Sequence, residues 1–175
     1  YGLAAANQSP STASLVFGGQ DPSGITGKTE TWNGTNWTEV NDLNTARVTG
    51  GGAGGYTDAL YAGGNTPSQT GATELWNGTN WSEQNDIANA RSLAGGCGAQ
   101  TAALIAGGSP PTAFAGAEEW TGAGAAVGAW STATPMNRGK YTGAGAGTQT
   151  SALYFGGNYP PGDNLTAETE FYNGA

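Results

Sequence analysis

The chain repeats itself. Four times an apolar run stops at a double glycine: LVFGG at 15–19, LYAGG at 60–64, LIAGG at 104–108 and LYFGG at 153–157. The first glycines, Gly18, Gly63, Gly107 and Gly156, stand 45, 44 and 49 residues apart, followed by Gly19, Gly64, Gly108 and Gly157. A period of that length marks stacked units, none able to bury its own faces alone. The repeat divides one domain, 1–175, into units at about 1–47, 48–91, 92–138 and 139–175.

Unit two is the clearest. A small-residue strand is predicted at 49–55, a second at 59–63, a Pro67-containing loop at 65–71, a third strand at 72–77 and a fourth from 81 to about 84. In the third, Thr73 and Leu75 point one way and Glu74 and Trp76 the other. The Asn33-Gly34 and Asn77-Gly78 steps predict tight hairpin turns, because both residue types tolerate positive φ. They lie between Trp32 and Trp37, and between Trp76 and Trp81. The simplest reading is an all-β chain with a four-stranded antiparallel meander per unit. Unit three carries GAGAAVGA (122–129) before Trp130, which predicts a longer hairpin or a bulge. Unit four has no fourth strand. The chain opens on Tyr1 and closes on Asn173-Gly174-Ala175, so it reads as a stretch of a longer array.

Two architectures fit such units, blades around an axis or a straight solenoid. The first strand is nearly all glycine and alanine in units two to four, while the aromatics lie in strands three and four. Blades converging on an axis need small residues inside and leave room for large ones outside, so the gradient favours a β-propeller.

The combination resembles the kelch repeat. The double glycine, the strand-three aromatic (Trp32, Trp76, Trp120, Tyr172), the Trp opening strand four (Trp37, Trp81, Trp130) and the Arg before the next unit (Arg47, Arg91, Arg138) fall in kelch order. Units such as TETWNGTNWTEVNDLNTAR resemble the kelch-like repeats of virion structural proteins from tailed marine phages, cyanophages in particular. The resemblance implies a kelch-like propeller of four-stranded blades, here three plus most of a fourth, and so part of a larger one. It implies a non-enzymatic module of a virion appendage such as a tail fibre, on the virion surface or extracellular. Such a module binds neighbouring structural proteins, copies of itself, or a host-surface receptor or glycan. A bacterial extracellular adhesin or filament subunit is the alternative, and the non-catalytic part of a carbohydrate-active enzyme a second.

Composition limits the chemistry. Histidine is absent and Cys97 is alone, which removes Ser-His-Asp and Cys-His nucleophiles, the usual zinc sites and an internal disulfide. The kelch-fold copper oxidases, which need His ligands, are excluded with them. A net charge of −8, with Lys28, Lys140, Arg47, Arg91 and Arg138 as the only cations, argues against nucleic acid and anionic membranes as partners. No apolar run reaches the roughly 20 residues of a membrane span. No cofactor is expected.

Each recurrent residue has a structural and a functional reading. The Trp pairs stack on sugars if exposed, or fill the gap between blades; burial of about 200 Å² each, up to about 5 kcal/mol as an upper bound, places the second reading first. Arg47, Arg91 and Arg138 match Glu30, Glu74, Glu118 and Glu170 in number, which predicts carboxylate or carbonyl pairing at blade junctions; a ring of Arg gripping an anionic sugar is the other reading. Glu118-Glu119 is an acidic pair, but strand neighbours face opposite sides. Glu39/Asp42, Glu83/Asp86 and Asp163-Asn164, with Asn41 and Asn85 beside them, are oxygen-rich loops that serve equally as Asx turns or calcium ligands, and no metal site is assigned. Asn33, Asn36, Asn77, Asn80 and Asn164 match the N-glycosylation acceptor but fall at turns. The loops between strands two and three (20–28, 65–71, 109–115, 158–166) vary while the frame repeats. They hold Pro22, Pro67, Pro110, Pro111, Pro160 and Pro161. Phe114 and Tyr159 within them are the candidate ligand contacts.

Overall fold

The computed structural model describes residues 1–109, 112–122, 128–161 and 164–174. Among these there is no helix, and the strands form one main antiparallel sheet per unit, with a further two-stranded hairpin in units one and four. Unit one contributes Ala4–Ala5, Ser14–Phe17, Thr29–Trp32 and Trp37–Val40. Unit two contributes Gly51–Gly55, Asp58–Ala62, Thr73–Trp76 and Trp81–Gln84. Unit three follows with Gly95–Ala99, Ala102–Ala106, Ala117–Thr121 and Ala129–Ala133. Unit four has three strands, Ala144–Thr148, Ser151–Phe155 and Thr169–Tyr172. Strands pair in sequence order within every sheet. Register is shared: Leu15 opposes Thr31, Leu60 opposes Leu75, Leu104 opposes Glu119 and Leu153 opposes Phe171.

Glycine lets the first strands touch by backbone. A Cβ on Gly52 would lie 2.6 Å from the Ala5 carbonyl oxygen, one on Gly96 would lie 2.6 Å from that of Gly52, and one on Gly145 would lie 3.1 Å from that of Gly96. Asn7 ties three units at this edge, its amide donating to the carbonyls of Gly52 (3.2 Å) and Gly96 (2.8 Å).

Away from that edge, larger side chains fill the gaps. Between units one and two, Leu15 and Phe17 meet Tyr61, Trp76 and Trp81. Phe17 stands edge-on to Tyr61 and Trp81, at centroid distances of 5.1 and 4.8 Å. Between two and three, Leu60 and Ile87 meet Ile105 and Trp120. Between three and four, Cys97 and Leu104 meet Tyr154. The alternation in Thr73–Trp76 works as expected, with Leu75 packed toward unit three and Trp76 toward unit one.

Three expectations need correction. The Asn-Gly steps do form tight hairpin turns, with Asn33 donating its N–H to the Asn36 carbonyl (3.3 Å) and Asn77 to that of Asn80 (3.2 Å), but the asparagines do not take the expected positive φ. Trp32 pairs with Trp37 and Trp76 with Trp81 across four-residue loops, in which only Gly34 and Gly78 have positive φ. Asn33 instead accepts the backbone N–H groups of Thr35 (3.0 Å) and Asn36 (2.9 Å) through its side chain, and Asn77 does the same for Thr79 and Asn80. Trp37 is not buried between units: 48% of it is exposed and Trp32 is only half-buried, because the face of unit one that carries them has no sheet against it. Arg138 is not the repeat cation. Gly19, Gly64 and Gly108 donate their N–H groups to the carbonyls of Arg47, Arg91 and Lys140, which puts Lys140 in that place and Arg138 two residues before it, exposed. Pro110, Pro111, Asp163 and the tip of the long unit-three connection (123–127) lie outside the described residues.

Candidate functional site

Two kinds of place gather polar chemistry: the junctions between units, and the rim where the variable loops emerge.

Each junction is closed by a carboxylate from a third strand. Glu74, fully buried, pairs with the equally buried Arg47 and accepts the N–H groups of Asn44 (2.8 Å) and Thr45 (3.3 Å). Arg47 also donates to the carbonyls of Thr45 and Tyr61, and its guanidinium lies 4.5 Å from the Tyr61 ring centroid. Glu118 pairs with Arg91 and accepts the N–H groups of Ala88 (2.7 Å) and Asn89 (3.3 Å). At the last junction Lys140, fully buried, lies 2.7 Å from Glu170 and 3.3 Å from the half-exposed Glu168. Burial pushes the Glu170 carboxyl up, but Lys140 and the Asn137 N–H outweigh it and hold the group below the usual carboxylate range. Arg138 makes an exposed 3.4 Å ion pair with Glu168. Glu30, the matching residue of unit one, is exposed. Arg47 with Glu74 and Arg91 with Glu118 therefore knit the frame, each pair meeting out of water. Glu119 faces away from Glu118 and accepts the Tyr172 hydroxyl at 2.8 Å.

The double glycines belong to the same device. Gly18, Gly63 and Gly107 have φ of 65–69°, and a Cβ there would lie 2.5, 2.6 and 2.7 Å from the carbonyl oxygens of Arg47, Arg91 and Lys140. Only glycine fits both the conformation and the space.

The rim combines the strand-two-to-three loops with the linkers between units. In unit one the loop forms a small hairpin, Gln20–Asp21 with Gly24–Ile25, and in unit four Asn158–Tyr159 with Asn164–Leu165. Phe114 and Tyr159 are half-buried. Arg91 stacks on Phe114, 4.7 Å from the ring centroid, and Arg138 stacks on Tyr159 at 4.2 Å. Both aromatics thus brace the rim while keeping an exposed part. The sequence reading missed Leu165, 86% exposed on the return strand of the unit-four hairpin, opposite Asn158. Its only advance sign is an apolar residue in a Pro/Asn/Asp loop.

The remaining candidates are taken up by structure. Asn41 donates to Thr79 and Asn80 of the next unit's hairpin, and Asn85 donates to Gly128. Among the described residues no group of three His, Cys, Asp or Glu is placed to hold a metal ion. Cys97 is buried between units three and four, and burial pushes its thiol up to about 11, which keeps it an unreactive thiol at neutral pH. Beside it lies a cavity of about 220 Å³ lined by Cys97, Leu104, Ala117, Met136, Tyr154 and Tyr172. At the two earlier junctions a fourth-strand indole enters the gap. Trp81 donates its Nε1–H to Thr29 Oγ1 at 3.0 Å, and Trp130 donates to Thr73 at 3.1 Å.

No protein-family model matches the chain, and no curated protein does. Among solved structures it is similar to that of YjhT, with a TM-score of 0.71 and 10% identity over 91% of this chain. The match covers 62% of YjhT, so this chain spans less than two thirds of that protein. At such identity the likeness concerns the fold alone, an all-β, β-propeller-like arrangement of four-stranded antiparallel sheets.

Proposed function

We propose that the chain is part of a kelch-like β-propeller acting as a non-enzymatic structural and recognition module, in the setting of a virion appendage such as a tail fibre. The sheets form a repeated frame whose charged groups hold its junctions, and the loops between strands two and three, which vary in every unit, are gathered on one rim. There Tyr159 and Leu165 present exposed apolar surface on one short hairpin, braced by Arg138. That rim carries the proposal: rigid elements position variable loops, the usual arrangement for recognition. The absence of histidine and the inert Cys97 support a binding rather than a catalytic role.

The test is binding of the recombinant chain to a printed oligosaccharide array, with Tyr159→Ala and Leu165→Ser as variants. Each is expected to weaken binding at least tenfold, about 1.4 kcal/mol, while the unfolding midpoint stays within a few degrees. Wild-type binding by both variants removes the rim as the contact surface. Turnover of any arrayed oligosaccharide overturns the non-enzymatic reading.

A further inference from the structure

The hairpins that join strands three and four lie at the other end of the sheets from the variable loops. In units one and two they carry the same run, WNGTNW, at 32–37 and 76–81. The Asn-Gly-Thr-Asn stretch of each is exposed to water. In each, the first asparagine holds its side-chain oxygen under two backbone N–H groups. Asn33 Oδ1 accepts those of Thr35 (3.0 Å) and Asn36 (2.9 Å), and Asn77 Oδ1 those of Thr79 (3.0 Å) and Asn80 (2.8 Å). The next residue is a glycine, at φ of 91° for Gly34 and 90° for Gly78. The N–H groups of these two glycines have no acceptor among the described residues. The unit-two hairpin is also pinned from outside, because the Asn41 amide donates to the Thr79 carbonyl at 2.9 Å and to Asn80 Oδ1 at 2.8 Å.

This arrangement has the parts of an amide-cleaving site turned on the asparagine itself. The bond from Thr35 N–H to Asn33 Oδ1 closes a small ring that contains both Asn33 Cγ and the Gly34 nitrogen, and glycine has no side chain to keep them apart. The bond from Thr79 does the same for Asn77 and Gly78. When a nucleophile adds to a carbonyl carbon, negative charge collects on the oxygen. Paired backbone N–H groups at 2.8–3.0 Å from that oxygen are the donors of an oxyanion hole, already in place before the reaction.

We propose that Asn33 and Asn77 are sites of spontaneous deamidation promoted by their own hairpins, each converted to aspartate and isoaspartate through the nitrogen of the following glycine. The glycine nitrogen adds to Cγ and gives its proton to solvent water, while the Cγ–Oδ1 π pair moves onto Oδ1 beneath the two N–H donors. That pair returns, the Cγ–Nδ2 bond breaks, and Nδ2 takes up a proton and leaves as ammonia. A cyclic imide remains. Water adds to one of its carbonyls and breaks that carbon's bond to nitrogen, giving isoaspartate if the main-chain carbonyl is attacked and aspartate if the side-chain carbonyl is. Each site consumes one water and releases one ammonia, and nothing is oxidised or reduced. Each conversion adds a negative charge to a chain that already carries −8. The isoaspartate form also lengthens the main chain between Trp76 and Trp81, which pair across the hairpin. The modification is remote from the rim and independent of its role in recognition.

The chain is aged in mildly alkaline buffer and its peptides are mapped by mass spectrometry, with isoaspartate scored by enzymatic methylation. Both steps are expected to convert at least about tenfold faster in the folded chain than in the same chain held unfolded in urea, where the two donors are lost. Thr79→Pro removes one of the N–H donors from Asn77 and leaves the Asn77-Gly78 step itself unchanged. It is expected to slow conversion at Asn77 by about tenfold, while Asn33 in the same molecule keeps the wild-type rate and reports that the frame is intact. Conversion no faster in the folded chain than in urea overturns the proposal, as does a Thr79→Pro chain in which Asn77 keeps pace with Asn33. The comparison of folded with unfolded wild type needs no variant, and it decides even where proline unsettles the hairpin.

Discussion

The junction between units one and two and the junction between units three and four follow one plan with different residues. The first has a buried Arg47–Glu74 pair, two Trp residues and an indole-to-threonine hydrogen bond. The second has Lys140 with Glu170, Tyr172 in place of the third-strand Trp, Ala117 in place of the threonine, and a cavity of about 220 Å³. The two carboxylates also differ: Glu74 is fully buried, whereas the Glu170 side chain keeps 14% exposure. The backbone plan is thus fixed by the double glycine and the carboxylate, and the side chains that fill it set how firmly each junction holds.

The largest contrast is expected from removing the cations. Arg47→Met leaves the Glu74 carboxylate buried against an apolar side chain, and the cost is about 3–5 kcal/mol. Lys140→Met leaves Glu170 with water and the Asn137 N–H, so the loss is nearer about 1.5–3 kcal/mol. Chemical denaturation of both variants measures the difference; equal losses would mean that the two junctions are energetically alike. Arg138→Met, removing an exposed ion pair, is expected to cost about 0–1 kcal/mol.

That last control marks where the sequence was misread. ARV at 46–48 and ARS at 90–92 make Arg the visible repeat cation, and the Arg of NRGK at 137–140 attracts the same assignment. The frame is set instead by the backbone. Thr49, Leu93 and Thr142 share a φ near +60°, each two residues after the true cation, and nothing in residue identity announces it. The four-sheet plan was legible, because double glycines and Trp pairs have fixed places in each sheet. The exposure of Trp37 was not, since identical sequence is core in one unit and surface in another. Of the rim, Phe114 and Tyr159 could be named from the chain, but their stacking on Arg91 and Arg138 depends on where the linkers return.

A smaller contrast separates a glycine within a junction from one beside an open face. Gly63 and Gly156 have φ of 66° and 67°, so alanine costs either about 1–2 kcal/mol for the left-handed backbone. At Gly63 the new methyl also meets the Arg91 carbonyl oxygen at 2.6 Å, whereas at Gly156 the nearest atom is 3.8 Å away. Gly63→Ala should therefore be worse than Gly156→Ala by about 1–3 kcal/mol, the usual cost of overpacking. Thermal unfolding of the two variants decides, and equal midpoints would show that the backbone conformation alone selects glycine.

The smallest effect concerns pH and again falls on the last junction. Tyr172 stands where units two and three have an indole that does not ionise. Burial, then the hydrogen bond to Glu119 and the charge of that carboxylate, push its phenol up to about 12, from 10.0. An unfolded chain releases this proton near pH 10 while the folded chain retains it. The stability it confers is therefore complete below pH 10 and is lost as pH rises from 10 toward 12. Tyr61 and Tyr154 are raised as well, mainly by burial, so the wild type weakens over the same range from three groups. Tyr172→Phe removes one of them and should flatten the fall in unfolding midpoint between pH 10 and 12 without abolishing it. At pH 7 the same variant leaves Glu119 without its phenol donor and is slightly less stable than wild type, so the two midpoint curves converge as pH rises. Curves that stay parallel would mean that the phenol at this junction ionises in the folded protein as it does in the unfolded chain.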